Sequence, residues 1–342
     1  MLSATAITLG RGVALALLGP AVALLPASNA HAAGTCHGVP ATIEASTGTV
    51  TGTGGADVIV ATGTVRRVDA GDGDDLVCLV GTSKRVMLGD GAGNDVLDAS
   101  AAGASTQTSL GVGADSFIGS DHDDYVGSGT LAPMGALGDP GPDQVSTGSG
   151  PDTLVVRKGA VVDADLGKGS DGLFFETAEG VPASRFDLGA GRDAAHFEDW
   201  WEDPGSGDSP IHVDLARDVV DWHGTSFPLR GAEDIRASAK KVVVLGSPGR
   251  NRFWIYGCDV LMKGGDGNDA LFIGNGSPET PPSTCPPGRR LRAFGNAGND
   301  QLEGSRRHDM LVGGPGRDSA YGGPAGNDRC VAERVSGKGC LL

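Results

Sequence analysis

The stretch Gly264-Gly265-Asp266-Gly267-Asn268-Asp269-Ala270-Leu271-Phe272 reads as two halves. The first six residues are turn formers, with glycine where a chain must reach positive φ and Asp or Asn where a side chain bonds nearby backbone. The last three are apolar and suit a short strand with one side chain facing inward. The pattern Gly, any, Gly, any, Asp, any, apolar recurs from Gly71, Gly91, Gly111, Gly148, Gly167 and Gly189. Further copies cluster near the end, around Asp300, Asp309, Asp318 and Asp328.

The Asp spacing fixes the period. Asp57, Asp75, Asp95 and Asp115 are 18, 20 and 20 residues apart. Asp115 to Asp124, Asp143 to Asp152, Asp300 to Asp309 and Asp309 to Asp318 are each 9 residues. A unit of nine with a double near eighteen predicts an all-β fold, a parallel β-roll or β-helix solenoid with two units per coil. Equivalent turns on successive coils then stack about 4.8 Å apart. Ile59, Val77, Leu97 and Phe117 hold matching positions and are predicted to stack into a narrow core.

The motif matches the consensus G-G-x-G-x-D-x-U-x. From Gly52 to Val331 the chain resembles the RTX, or haemolysin-type, calcium-binding nonapeptide repeats. The resemblance implies several calcium ions held between stacked turns. The chemistry agrees, because a carboxylate column repels itself and calcium takes six to eight oxygens from carboxylates and carbonyls. The candidate ligands are Asp57, Asp75, Asp95, Asp115, Asp124, Asp143, Asp152, Asp171, Asp193, Asp269, Asp300, Asp309, Asp318 and Asp328.

The register assigns edges. Asp57, Asp75, Asp95 and Asp115 fall on one edge, and the half-coils between them place Arg66 and Lys84 where Asp is expected. Val68 and Val86 keep the inward apolar position, so these half-coils read as turns without metal. Asp124 lacks flanking glycines and is assigned to a sparser edge. The last coils, with Asp300, Asp309, Asp318 and Asp328, allow metal on both edges.

Two stretches break the pattern. Residues 194–245 lack clear Asp turns, and the segments around His212-Val213-Asp214-Leu215-Ala216 and Gly231-Ala232-Glu233-Asp234-Ile235 resemble the joins between blocks of RTX repeats. That resemblance implies continued parallel coil. The 58 residues from Asp193 to Asn251 then make about three coils with a small insertion, and Asn251 takes an Asp position as a weaker site. Asp269 to Asp300 spans 31 residues, 13 more than a coil, matching a Pro-rich loop at 275–287.

Composition bounds the rest. Residues 1–32 read as a cleaved export signal, with an apolar run from Val13 to Leu25 and Ala30-His31-Ala32 before the cut. Residues 33–342 then form one domain. The net charge of −16 becomes one unit more negative when Arg11 leaves, which disfavours nucleic acid and anionic lipid as partners and favours cations. No later apolar run is long enough to span a membrane. Six cysteines in an exported chain suggest disulfides, read here as nearest-neighbour pairs Cys36–Cys78, Cys258–Cys285 and Cys330–Cys340. No H-E-x-x-H or G-x-S-x-G motif is present, so no enzyme is expected. The alternative is a carbohydrate-active parallel β-helix of lyase or epimerase type, or a sugar-binding surface module. Against it, the half-coils show no cluster of Asp, His, Arg and Tyr that would carry such chemistry. Trp200–Trp201 reads as a coil cover before a sugar platform, and His196, His212 and His223 match no metal-ligand spacing.

Overall fold

A computed structural model describes residues 34–129, 141–157, 159–176, 181, 183–198, 209–274, 291–324, 328–336 and 340–341. Residues 31–342 form one unit, a parallel β-solenoid of about 13 turns with coils of ~19 residues. The expected export signal, the Trp200–Trp201 pair and the 275–287 loop lie outside the described residues.

Each coil contributes one short strand to each of two faces. On the first face the inward residues run in register as Ile59, Val77, Leu97, Phe117, Val145, Ala164 and Phe186. The second face stacks Val68, Leu88, Thr108, Val126, Leu154, Leu173, Ala195, Ile235, Phe253, Leu271, Leu302 and Ala320. All of these side chains are buried. Period-two alternation within each strand sends every second side chain into this core and the rest to solvent.

Turn glycines permit the close stacking. Gly91 has φ 96°, and a Cβ on it would lie 1.6 Å from the Gly71 carbonyl oxygen of the previous coil. No other residue fits there without separating the coils.

The 194–245 region departs from continued parallel coil. Only two edge steps, Asp193 to Glu233 and Glu233 to Asn251, cover the distance. The surplus residues form strands Ile211–Asp214, Val219–Trp222 and Thr225–Arg230. These pair antiparallel with one another and sit between Arg185–Asp187 and Lys241–Leu245 on the first face. Trp222 and Phe227 are buried and pack against Phe175. The meander needs no turn column, which is why the Asp pattern is absent there.

Disulfides lie towards both ends. Cys36–Cys78 ties the first strands to the second coil, and Cys330–Cys340 closes the last one. Cys258 is also disulfide-bonded, and its expected partner Cys285 lies outside the described residues.

Candidate metal centre

The turn aspartates form hydrogen-bonded columns along the two edges. On the first edge the amide of Asp57 donates to Asp75 Oδ1 at 2.8 Å, Asp75 to Asp95 at 2.7 Å, Asp95 to Asp115 at 3.0 Å and Asp115 to Asp143 at 3.1 Å. On the second edge Asp124 donates to Asp152, Asp152 to Asp171 and Asp171 to Asp193, each at 2.8 Å. Glu233 then accepts from Asp193 at 2.9 Å. The column resumes with Asn251, Asp269, Asp300 and Asp318 and ends where Glu333 accepts from Asp318 at 2.7 Å. Asp309 and Asp328 restart the first edge, linked at 2.9 Å.

Two positional expectations change. Val86, not Lys84, holds the Asp position on the second edge, since it pairs with Thr106 and Thr106 with Asp124. Val86 is buried there, whereas Arg66, at the same register position one coil earlier, is exposed. Asp124 also begins the longer column rather than belonging to a sparser edge. Below it stands Thr106, whose amide and hydroxyl donate to Asp124 Oδ1 at 2.9 and 2.7 Å.

The turns divide by the residue four before the Asp. Where it is Thr or Ser, its amide donates into the same turn. Thr53 donates to Asp57 at 2.7 Å, Ser120 to Asp124 at 2.8 Å, Ser247 to Asn251 at 2.9 Å and Ser305 to Asp309 at 2.5 Å. These turns are capped. At Asp75, Asp95, Asp152, Asp171, Asp193, Asp269 and Asp318 that residue is a glycine of positive φ, and at Asp300 it is Asn296 with φ 74°. The positive φ turns the amide away, and the buried Oδ2 of each of these carboxylates has no hydrogen-bond partner. These turns are open.

Electrostatics follows burial more than capping, since burial pushes even the capped Asp309 up to about 7. The Thr53 amide and hydroxyl hold Asp57 below its ordinary value. Burial, reinforced by neighbouring carboxylates, raises Asp75 and pushes Asp95 and Asp152 up to about 7. Asp193 and Asp269 rise to about 6 from the same causes. Two ionised carboxylates about 4.8 Å apart repel by roughly 3.5 kcal/mol at an effective dielectric near 20. One charge-assisted hydrogen bond returns about 1.5–3 kcal/mol, so the column is not stable fully ionised on hydrogen bonds alone.

The donor set fits calcium. Calcium takes oxygen ligands only, from carboxylates and backbone carbonyls. The open turns offer unpartnered Oδ2 atoms, and beside them the carbonyls of Gly71, Gly91, Gly148 and Gly298 face the next turn. Bound there, calcium would supply positive charge between carboxylates of successive coils.

The sequence did not single out Asp90, Glu233 and Glu333. The two glutamates stand in the Asp register itself, two residues before Ile235 and Val335 of the second-face stack, and accept from the column in place of Asp. A second feature went unread as well. The outer second face carries a groove of ≈ 520 Å³ lined by Tyr125, Phe174, Glu176, His196, Glu198 and Arg236. Phe174 lies against His196 at 4.3 Å, Trp254 stacks on Phe272 at 5.3 Å, and Arg252 lies over Trp254 at 5.1 Å. Strands far apart in sequence supply these residues, so no local motif announces them. Burial pushes His196 down to about 4, aided by Arg236, which keeps the ring neutral. His212 instead pairs with Asp221 at 3.2 Å.

Residues 294–330 match the family model for the RTX calcium-binding nonapeptide repeat (4 copies). With the solenoid fold, the match supports an RTX-type calcium-binding repeat protein. No curated protein matches the chain.

Proposed function

We propose that the protein is an exported, non-enzymatic calcium-binding repeat protein, whose open turns hold calcium along both edges and whose fold depends on that metal. The observation that carries this reading is the set of buried Oδ2 atoms lacking a partner, at Asp75, Asp95 and Asp328 on the first edge and at Asp152, Asp171, Asp193, Asp269, Asp300 and Asp318 on the second. An uncompensated buried acceptor costs about 1–3 kcal/mol, so several in one column call for a ligand. In the capped carboxylates Asp57, Asp124 and Asp309 both oxygens already accept hydrogen bonds, so they call less for a ligand. The disulfides fit an oxidising, extracellular setting. Among the described residues no helix is long and apolar enough to cross a membrane.

Metal analysis of the mature chain after equilibrium dialysis tests this. Several equivalents of calcium should be retained in the presence of excess magnesium, which demands a tighter octahedral site. Retention of magnesium alone, or of neither ion, contradicts the reading.

A second reading concerns the outer groove. Aromatic faces beside Arg236, Glu176 and Glu198 suit a sugar ring, which stacks by its apolar face and hydrogen-bonds at its rim. Titration with neutral and acidic oligosaccharides, comparing wild type with Phe174→Ala, separates this from a purely structural face. No binding in either protein removes it.

A further inference from the structure

Asp90 stands where the repeat has its first glycine, in Asp90-Gly91-Ala92-Gly93-Asn94-Asp95. Five residues before the column Asp, successive coils of this edge carry Ala70, Asp90 and Leu110. Ala70 and Leu110 are core residues at 0 % exposure, and Asp90 between them is 1 % exposed. A carboxyl group has thus been set into an apolar stack. Neither of its oxygens has a hydrogen-bond partner. Oxygens of Asp90, Asp95 and Asp115 all lie within 4.8 Å of one another.

Two explanations compete for such a group. One is a neutral acid, and the other is a carboxylate facing a cation. A neutral acid would have to give its O–H to Asp95 or Asp115, the carboxylates nearest to it. A cation needs no such hydrogen. Oxygens bound to one calcium at 2.3–2.6 Å are at most about 5.2 Å apart, and the spacing of this cluster meets that bound. Among the described turns, this is the one with a carboxylate at that position.

We propose that Asp90, Asp95 and Asp115 form a three-carboxylate cation site inside the solenoid, tighter than the other turn sites, in which Asp90 is an added ligand for calcium. The proposal rests on the calcium reading above and goes beyond it, because the repeat supplies glycine, not a ligand, at this place. Affinity at oxygen sites rises with the number of charged ligands, so the third carboxylate should tighten this site about tenfold over its neighbours.

Calcium calorimetry on the full mature chain, with metal analysis after dialysis, tests it. Asp90→Gly restores the repeat residue and Asp90→Asn keeps the shape without the charge. Asp163→Asn removes an exposed charge away from the site as a control. Wild type should show one site about tenfold tighter than the rest. Both Asp90 variants should lose it while keeping the remaining calcium, and Asp163→Asn should keep it. Asp90→Gly or a folded Asp90→Asn with the wild-type tight site overturns the proposal alone. A wild-type chain that binds no calcium overturns the general reading and this one together.

Discussion

The first coils and the last coils solve the same problem differently. From Asp57 to Asp143 one edge carries the carboxylates, while the other shows Val86 and Thr106 before its own column begins at Asp124. In the last coils Asp300 and Asp318 line one edge and Asp309 and Asp328 the other. The first coils also bury larger side chains, with Ile59, Val77, Leu97 and Phe117 on one face. In the last coils the inward residues include Leu302, Leu311, Ala320 and Cys330. Where apolar area is scarce and both edges are charged, metal must supply more of the stability. The same difference explains the reach of the family match. A nine-residue period appears only when both edges carry Asp, and residues 294–330 are such a stretch.

Removing calcium should separate the two regions most strongly. Hydrogen exchange in chelator should show amides of Leu302–Val312 losing protection well before those of Val77–Val80 and Leu97–Ala99, which the Cys36–Cys78 bridge and larger core retain. Uniform loss across both regions would remove the distinction.

A smaller effect distinguishes open from capped turns. Asp75→Ala and Asp95→Ala each remove an Oδ2 from the column and should raise the calcium midpoint for folding several-fold and lower stoichiometry. Asp57→Ala and Asp124→Ala remove carboxylates already capped by Thr53 and Ser120, and should shift the midpoint less. Equal shifts at all four would show that capping does not govern metal binding.

The smallest expected effect is on pH. In chelator, Asp95 and Asp152 near 7 and Asp193 and Asp269 near 6 bind protons more tightly folded than unfolded, where the ordinary value is 3.8. The folded chain therefore holds more protons in that window, and its stability falls as pH rises from about 4 through 7. The chelated protein should melt at a higher temperature at pH 5 than at pH 8. A flat or opposite trend would mean these carboxylates are not buried together.

Much of this was legible because stacking is local arithmetic. Ile59, Val77, Leu97 and Phe117 share a residue type and a spacing near one coil, so their column and the neighbouring Asp column follow from register. The step from Asp115 to Asp143 is different. Its 28 residues read equally as one and a half coils or as one coil with an insertion, and only the hydrogen bond between them decides. Residues 194–245 resembled coil joins, but His212 to Trp222 folds back antiparallel, which depends on Trp222 and Phe227 finding Phe175 in the core. The capped turns were hidden because Ser and Thr look like ordinary turn residues until their amides are placed. Asp90 was hidden because an Asp among turn glycines looks solvated, and burial shows itself only once Ala70 and Leu110 are stacked on either side.

The central claim is that calcium between open turns holds the fold. Circular dichroism of the mature chain during a calcium titration from chelator tests it most directly. A cooperative gain of β signal is expected, with a midpoint near the roughly 10⁻⁴–10⁻³ M of extracellular calcium modules, and a melting temperature that rises with calcium. A spectrum and melting temperature identical in chelator and in calcium would contradict it.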